Sequence, residues 1–304
     1  MMRVPVAQLL QKALAARTVV PAFNIPYLPM MAPLVQALCD TQSFGLIQVA
    51  RLEWLKFESG SMQAIRSEYA RVQDRGHTRL HLDHIPVVDE DGQHVDYLKD
   101  IREAIDLGFE SVMVDGSRLP LAENIQATAK VAALAHAHGI PVEGELGAVL
   151  GHEAGPMPPY EELFASGRGF TDPEEAARFV RETGVDWLSV AIGNIHGAIS
   201  AASRDAAKVP ARLSIAHLDR IRKRTGIPLV LHGGSGIQKA CLMDAFRHGV
   251  AKINIGTTLR QVYERGRQES IAKAQAGVYD AAVALLRNEL EVAGTAALLT
   301  APSP

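Results

Sequence analysis

Residues 111–147 read SVMVDGSRLPLAENIQATAKVAALAHAHGIPVEGELG, and this stretch contains one complete unit of the predicted fold. It opens with SVMVDG, an apolar run rich in β-branched residues that predicts a strand. An alanine-rich segment that predicts a helix follows and ends at Gly139, and PVEGELG predicts a second strand. A strand, a helix and another strand in this order are typical of a parallel sheet covered by helices. The stretch therefore predicts an α/β fold.

The same alternation extends in both directions along the chain. Further helix-like segments are DYLKDIREAIDLG and DPEEAARFVRETG; both end in Gly, a common helix stop, and the second begins at Thr171-Asp172-Pro173 with a capping residue and then Pro. Eight strand-like runs are present: VVPAFN (from Val19), GLIQVA (Gly45), RLHLDH (Arg79), SVMVDG (Ser111), PVEGELG (Pro141), DWLSVAIG (Asp186), PLVLHGGS (Pro228) and AKINIGT (Ala251). This pattern predicts a (β/α)8 TIM barrel, a single domain over residues 1–304 whose tail from about 296 is disordered.

The alternative α/β architecture is a doubly wound open sheet. That fold would carry a Gly-rich nucleotide-binding turn after its first strand, whereas the first strand here ends in PAFNIPYL. No Gly/Ser-rich linker or short internal repeat divides the chain. The sequence therefore favours one barrel.

Composition limits the classes of partner and compartment. Hydrophobic residues make up 47% of the chain, charged residues 21%, and the formal net charge is −3. No charged run is long enough to indicate nucleic acid or a membrane surface, and no apolar run reaches the ~18 residues of a spanning helix. The N-terminal MMRVPVAQLLQKALAA lacks the uninterrupted apolar core of a signal peptide and predicts an amphipathic helix. Two distant cysteines, Cys39 and Cys241, lie in helix-like segments and predict buried thiols in a reducing cytoplasm.

The stretch LHLDHIPV, Leu80 to Val87, places two histidines and an aspartate inside a predicted strand. An imidazole or carboxylate removed from water is costly unless something pairs with it. In an ideal strand Asp83 and His84 point to opposite faces. Both can serve one site only if the strand ends there, and Pro86 favours that ending because proline cannot donate to the ladder.

Most of the other predicted strands also deliver a polar side chain near their carboxyl ends, which is where barrels of this kind hold their active sites. Histidines follow strands three, six and seven at His84, His196 and His232, and three imidazoles can hold zinc or a similar divalent ion with positions left open for a substrate. The other polar residues at these ends are Asn24, Gln48, Asp83, Asp115, Glu145, Asn254 and Thr257.

Two glycine-bearing loops, HGGSGI and NIGTTLR, follow the last two strands. Exposed backbone N–H groups and the hydroxyls of Ser235 and Thr257 can bind a phosphate, and this fold most often binds phosphate in these loops. A divalent ion beside a phosphorylated ketone can polarise the carbonyl, while acidic side chains transfer protons. The combination predicts a metal-dependent aldol reaction.

In combination, the motifs AFN, LHLDH, SVMVDGS, VEGELG followed by GHE, AIGNIHG, LHGGSG and KINIGT resemble the class II, metal-dependent fructose-bisphosphate and tagatose-bisphosphate aldolases. The similarity runs from about Val19 to about Arg260. The resemblance implies a glycolytic lyase that reversibly cleaves a ketose bisphosphate, such as fructose 1,6-bisphosphate, to dihydroxyacetone phosphate and an aldehyde. It also implies a cytoplasmic homodimer or homotetramer.

The resemblance further implies roles for individual residues. Asp83 matches the acid that protonates the aldehyde oxygen during condensation, and Glu153 matches the base that takes a proton from dihydroxyacetone phosphate. The matched ligands are His84, His196 and His232 for a catalytic zinc and Asp115 and Glu145 for a second, peripheral metal position. A monovalent cation, Na⁺ or K⁺, is expected near the substrate phosphate. The matched substrate-binding residues are Asn24, Gly197, Gly233, Gly234, Ser235, Asn254, Ile255, Gly256 and Thr257.

The sequence departs from the family pattern on the side that meets the aldehyde. Ala50 stands where Ser is usual and Gly256 where fructose-bisphosphate aldolases usually carry Asp. Arg51–Trp54 replaces a small turn, and the loop HIPVVDEDGQHVDY is long. Two other interpretations stay open: a different metal-dependent barrel enzyme acting on a phosphorylated substrate, such as a metallohydrolase, although VVPAFN lacks the usual His-x-His pair, and a non-catalytic accessory subunit.

Overall fold

The computed structural model describes residues 4–147, 160–194, 212–234 and 237–302. Within them, parallel strands form a closed barrel in which each strand pairs with the next and β8 pairs with β1. This closure confirms the TIM barrel and excludes the open sheet. The strands are β1 (Val20–Asn24), β2 (Gly45–Val49), β3 (Thr78–Pro86), β4 (Ser111–Asp115), β5 (Val142–Leu146), β6 (Trp187–Val190), β7 (Leu229–Leu231) and β8 (Val250–Ile255).

Helices surround the barrel, with a short 3₁₀ helix at Leu28–Met30 and a π-helical turn at Leu285–Glu289. Asp172 caps one of them as predicted, since its side chain accepts from the N–H groups of Glu174 and Glu175 at 2.9 Å. The α-helices are α1 (Val6–Ala16), α2 (Met31–Asp40), α3 (Arg51–Lys56), α4 (Met62–Val72), α5 (Tyr97–Asp106), α6 (Leu121–His136), α7 (Tyr160–Ser166), α8 (Pro173–Thr183), α9 (Ile215–Thr225), α10 (Lys239–Arg247), α11 (Thr257–Gly266), α12 (Ile271–Ala284) and α13 (Ala296–Thr300).

Alternation along the strands divides the core into two parts. Outward residues such as Phe23, Leu82 and Val114 pack against the surrounding helices, while inward residues such as Leu46 and Val230 form a separate cluster inside the barrel. The amphipathic helix α1 belongs to this inner cluster and covers the end of the barrel where the strands begin. The opposite, carboxyl end is therefore the end available for a site.

The expectation of a disordered tail from about residue 296 is wrong as far as residue 300. Helix α13 packs against α1 and buries Ala296 and Leu299 in the inner cluster. Its start is also fixed by a hydrogen bond of 2.9 Å from Ala296 N–H to Gln42 O. Among the described helices, none combines the length and apolar character needed to cross a membrane.

Candidate active site

Strand β3 carries a bulge at Asp83 and His84. Leu82 pairs with Val112 and Ile85 with Val114, so two residues of β3 lie opposite one residue of β4. His84 adopts a left-handed backbone conformation with φ of 61°, which is uncommon for a residue with a side chain and typical of functional sites. The bulge turns both side chains toward the barrel mouth. The prediction that β3 ends at these residues is wrong, because the strand continues to Pro86.

The carboxylate of Asp83 lies in a cradle of amide donors. Asn24 Nδ2 and Gln48 Nε2 donate to Oδ2 at 2.9 and 3.0 Å, and Asn254 Nδ2 donates to Oδ1 at 2.9 Å. Burial alone would raise the pKa of Asp83, but the positive charges of Lys252 and the nearby imidazoles hold it below its ordinary value. The structure therefore presents Asp83 as a fixed, ionised group that can accept a proton.

His84, Glu145 and His232 converge beside this cradle. Glu145 Oε2 lies 3.5 Å from His84 Nε2 and 3.4 Å from His232 Nδ1. Asp115 Oδ2 lies 3.4 Å from the same His84 nitrogen. The resemblance implied a separate peripheral position for Asp115 and Glu145, whereas in the structure Glu145 stands between the two imidazoles.

The donor set and its spacing fit a divalent ion. Ligand atoms about 2.1 Å from a tetrahedral Zn²⁺ lie about 3.4 Å from one another, and the separations around Glu145 Oε2 are 3.4 and 3.5 Å. Burial opposes protonation of His84, but the carboxylates of Asp115 and Glu145 outweigh it and raise the pKa of His84 to about 10. Surroundings that favour positive charge on this imidazole also favour a bound cation.

A polar layer lies directly beneath the rim, and the sequence reasoning did not identify it. Glu143 is fully buried; its Oε1 accepts from His232 Nε2 at 2.8 Å and its Oε2 from Trp187 Nε1 at 2.7 Å. Lys252 Nζ lies 2.8 Å from the same Oε2. His81 is also fully buried, and its Nδ1 lies 2.8 Å from Ser111 Oγ. His81, Glu143 and Lys252 each precede a rim residue by two positions, so strand periodicity was a signal that could have found them.

The loops after β7 and β8 approach the same mouth. Gly233 has a φ of 70°, and a Cβ on Gly234 would lie 2.6 Å from Ile253 Cδ1. Larger residues are therefore disfavoured at both positions. Gly256 precedes α11 and lies against Asn24, and Thr257 is the first residue of that helix. Ile255 turns its side chain into the outer core, so only its backbone can serve a ligand at the mouth.

Four predicted residues, Glu153, His196, Gly197 and Ser235, lie outside the described parts of the chain. The described residues divide into two adjacent groups. In the first, Asn24 and Asn254 hold the acid Asp83, and Gly256 lies against Asn24. In the second, the candidate metal position lies among His84, Asp115, Glu145 and His232.

The side of the mouth next to β2 is built from the departures noted in the sequence. Arg51–Lys56 forms α3 directly after Ala50. Its ends contact the long loop and α5, with Arg51 Nε 3.4 Å from Asp100 Oδ2 and Lys56 Nζ 2.5 Å from Glu90 Oε1.

The inward residue of α3 is Glu53. It is 8% exposed, and its Oε2 accepts from Ala50 N–H at 2.8 Å. Burial raises its pKa to about 8, the hydrogen bond from Ala50 opposes that rise, and the charge of Asp83 adds to it. A carboxyl group therefore stands beside the position where the family pattern has a serine hydroxyl.

The sequence matches the family model for fructose-bisphosphate aldolase class-II over residues 4–297. The chain is 32% identical over 280 residues to a fructose-bisphosphate aldolase of Geobacillus stearothermophilus, covering 91% of this chain and 88% of that protein. It is 37% identical over 257 residues to a 6-phospho-5-dehydro-2-deoxy-D-gluconate aldolase of Shouchella clausii strain KSM-K16, covering 84% and 78%. The crystal structure of the YdjI aldolase from Escherichia coli K12 matches 97% of this chain and 100% of that chain, with a TM-score of 0.73 and 25% identity.

These matches confirm the resemblance carried by the sequence motifs and give no support to a metallohydrolase or an accessory subunit. The chain therefore belongs to the class II fructose-bisphosphate aldolase family of lyases, whose reaction is the reversible aldol cleavage of a sugar bisphosphate.

Proposed function

We propose that this chain cleaves a ketose bisphosphate, of the fructose or tagatose type, to dihydroxyacetone phosphate and an aldehyde. One observation carries the proposal: the bulge in β3 brings an amide-cradled Asp83 and the imidazole of His84 to the same mouth. A proton acceptor and a metal position side by side are what carbon–carbon cleavage next to a carbonyl requires.

The proposed metal is Zn²⁺, held by the imidazoles of His84, His196 and His232, with Glu145 beside them and one position left for the substrate. The family is generally metal-dependent, and imidazole with carboxylate is a usual zinc donor set. A bound divalent ion polarises a ketone oxygen and stabilises the negative charge that develops there. The proposed ligands of the peripheral position are Asp115 and Glu145, whose carboxylate oxygens lie 3.4 and 3.5 Å from His84 Nε2. A monovalent cation, Na⁺ or K⁺, is proposed near the substrate phosphate.

Two carboxyl groups of the chain divide the proton transfers. In cleavage, Asp83 accepts the proton of the hydroxyl on the carbon that becomes the aldehyde. The carbon–carbon bond breaks, and its electron pair goes to the ketone fragment. Glu153 then protonates that fragment at carbon to give dihydroxyacetone phosphate. In condensation both transfers reverse, so that Asp83 protonates the aldehyde oxygen.

The proposed phosphate site lies at the loops after β7 and β8. Gly233 and Gly234 let backbone N–H groups approach an anion, and α11 directs its N-terminus to the mouth at Gly256 and Thr257. Asn254 and the backbone of Ile255 complete this side with Gly197 and Ser235. Asn24 lies between Asp83 and Gly256, which suits it to contact the substrate where its two halves meet.

The identity of the aldehyde depends on the side built by α3. The relative with 32% identity is named for fructose bisphosphate and the relative with 37% identity for 6-phospho-5-dehydro-2-deoxy-D-gluconate, so relationship alone does not choose between the two kinds of substrate. Glu53 beside Ala50, with Gly256 opposite, favours an aldehyde half that differs from that of the usual fructose-bisphosphate enzymes.

We also propose a glycolytic role in the cytoplasm, as a homodimer or homotetramer. Cys39 and Cys241 are free thiols, which agrees with a reducing compartment. The assembly is proposed from the family resemblance, and sedimentation of the purified chain measures it directly.

A retro-aldol screen over ketose phosphates, with triose phosphate detected as the product, tests the function. We expect cleavage of at least one ketose bisphosphate, loss of cleavage on chelation and recovery with Zn²⁺. Full turnover of metal-free protein would exclude the proposed chemistry.

A further inference from the structure

Lys252 is the residue of the polar layer whose presence the proposed function does not explain. Its side chain is fully buried inside the barrel. Its ammonium lies 2.8 Å from Glu143 Oε2 and donates to Asn254 Oδ1 at 2.7 Å. A buried ammonium loses its hydration, and a buried ion pair is often no more stabilising than apolar residues of similar volume. Stability alone therefore does not account for this pair.

A nucleophilic role for Lys252 does not fit its surroundings. Its nitrogen is already held by a carboxylate and an amide oxygen, and it lies 3.9 Å from Asp83 Oδ1 with no exposure to the mouth. Attack on a substrate carbonyl would require an exposed, uncharged amine. Lys252 can therefore influence the site only through the two groups that it contacts, Glu143 and Asn254.

The first of these contacts leads to the metal position. Glu143 accepts the proton of His232 Nε2, which leaves the lone pair on Nδ1, the atom that faces Glu145 Oε2. Lys252 and Trp187 both hold the other oxygen of Glu143. They hold this carboxylate in one orientation, so the ring orientation of His232 is fixed.

The second contact leads to the proton acceptor. An ammonium can only donate, so Asn254 must turn its oxygen toward Lys252. Its amide nitrogen then points to Asp83 and donates to Oδ1 at 2.9 Å. Without the ammonium the Asn254 amide could flip, and its oxygen would face a carboxylate.

We propose that Lys252 is a positioning residue that couples the two halves of the site, fixing His232 through Glu143 and Asp83 through Asn254. This proposal rests on the proposed function. A neutral residue of the same shape should therefore impair metal binding and proton transfer at Asp83 together.

Lys252→Met in the full-length protein is the main variant, and Zn²⁺ affinity is measured by competition with a chromogenic chelator, without substrate. We expect affinity to fall about 10- to 100-fold, the usual effect of removing a partner that orients a metal ligand. At saturating Zn²⁺, cleavage should fall more than the exchange of dihydroxyacetone phosphate hydrogen with solvent, because exchange does not use Asp83. Trp187→Phe should weaken Zn²⁺ binding alone, because the indole N–H donates to Glu143, which lies on the metal side of the coupling.

A double variant separates positioning from stability. Lys252→Met leaves Glu143 as an unpaired buried charge and should destabilise the fold, whereas Lys252→Met with Glu143→Gln is neutral and should recover part of the loss. The ratio of cleavage to exchange should stay impaired in the double variant, because Asn254 still lacks the ammonium that orients its amide. Arg79→Met, which removes another buried cation from the start of β3, should lower stability and leave Zn²⁺ affinity unchanged.

Two outcomes would overturn the coupling role while leaving the proposed function intact. One is an Lys252→Met protein that binds Zn²⁺ and cleaves substrate like wild type. The other is a double variant in which the ratio of cleavage to exchange recovers together with stability, which would make Lys252 a structural residue. Failure of the proposed function is a different result, since wild type itself would then neither require a metal nor cleave a ketose phosphate.

Discussion

Asn254 on β8 donates to Asp83 on β3 across the barrel, with 2.9 Å between Nδ2 and Oδ1. Asn24 and Gln48 hold the other carboxylate oxygen from β1 and β2. Three strands and a bulge therefore fix one proton acceptor. Each amide that holds it also makes a second contact, since Asn24 faces Gly256, Gln48 donates to Asn24, and Asn254 accepts from Lys252. The cradle links the acid to the substrate side and to the polar layer below it.

Asp83→Asn should separate the two proton transfers. The amide cannot accept the hydroxyl proton, so cleavage and condensation should fall by at least about 100-fold. Exchange of a dihydroxyacetone phosphate hydrogen with solvent should persist, because Glu153 serves that step. Asparagine also places an NH₂ group against amide donors, and we expect a loss of about 1–3 kcal/mol in the free energy of unfolding.

Glu153→Gln is the matched variant, and it should suppress the exchange. Hydrogen exchange is followed by proton NMR in deuterated buffer, beside a coupled assay of cleavage, with thermal unfolding of both variants as the control. An equal loss of exchange in the two proteins would show that the roles of Asp83 and Glu153 are misassigned.

Removal of either described imidazole should remove metal and activity together. His84→Ala and His232→Ala each take one nitrogen from the group around Glu145 Oε2. We expect lower zinc content by plasma emission spectrometry and a parallel loss of cleavage. His248→Ala is the matched control, because this half-buried histidine lies 3.5 Å from Asp219, away from the barrel mouth. Full zinc content in both site variants would place the metal elsewhere.

The barrel and most of its rim could be predicted because their signals are local. Strand runs, glycine stops and the Asp172 cap depend on neighbouring residues, and the fold then brings the strand ends to one mouth. The bulge could not be predicted in this way. His84 adopts its left-handed conformation against its own preference, and the contacts with Asp115 and Glu145 that stabilise it come from β4 and β5.

The buried polar layer below the rim could not be predicted for a different reason. Strand periodicity places Glu143 two residues before Glu145 and Lys252 two residues before Asn254. The role of a buried charged residue can be predicted only when its charged partner is known. Lys252 is on β8 and Glu143 on β5, and no sequence spacing indicates that they meet at 2.8 Å. Glu53 is similar, because it interacts with Asn24 and Arg260, which lie far from it in the sequence.

The protonation of Glu53 should make stability fall as pH rises. Its pKa is about 8 in the folded protein and 4.5 as an ordinary value, so between these values the folded state holds a proton that the unfolded state has released. The free energy of unfolding therefore decreases through this window, by about 1.4 kcal/mol per pKa unit of difference.

Glu53→Gln removes this contribution and is compared with wild type by thermal unfolding from pH 5 to pH 9. The melting temperature of the variant relative to wild type should rise by several degrees across the window, since 1 kcal/mol corresponds to about 2–4 °C for a large domain. Glu58→Gln, at an exposed carboxylate paired with Arg267, is the control and should give a flat difference. A flat difference for Glu53→Gln would show that this carboxyl is ionised throughout.

We expect fructose 1,6-bisphosphate to be cleaved less efficiently by this chain than by the Geobacillus stearothermophilus relative assayed beside it. Ala50 and Gly256 lack the hydroxyl and carboxylate of the family pattern. The loss of one or two hydrogen bonds corresponds to about 1–3 kcal/mol, or about 5- to 150-fold in kcat/KM.

The structure indicates how that efficiency can be restored. A Cβ on Gly256 would lie 3.5 Å from Asn24 Cβ, an ordinary contact, so the first side-chain atom of Gly256→Asp does not clash with Asn24. Glu53 also interacts with Asn24 and would face the new carboxylate as a like charge when ionised. Gly256→Asp with Ala50→Ser should therefore recover part of kcat/KM, and more when Glu53→Gln is added.

The measurement is kcat/KM for fructose 1,6-bisphosphate, tagatose 1,6-bisphosphate and fructose 1-phosphate in wild type and in these variants. Affinity for dihydroxyacetone phosphate is the internal control and should stay constant in Ala50→Ser and in Glu53→Gln, because these two substitutions leave the loops after β7 and β8 and the metal position unchanged. If kcat/KM of the variants rises above wild type for the two bisphosphates and not for fructose 1-phosphate, α3 and Gly256 recognise the aldehyde half of the substrate. Wild-type efficiency on fructose 1,6-bisphosphate equal to that of the relative would mean that neither departure alters the substrate, and that Glu53 replaces the missing groups without loss.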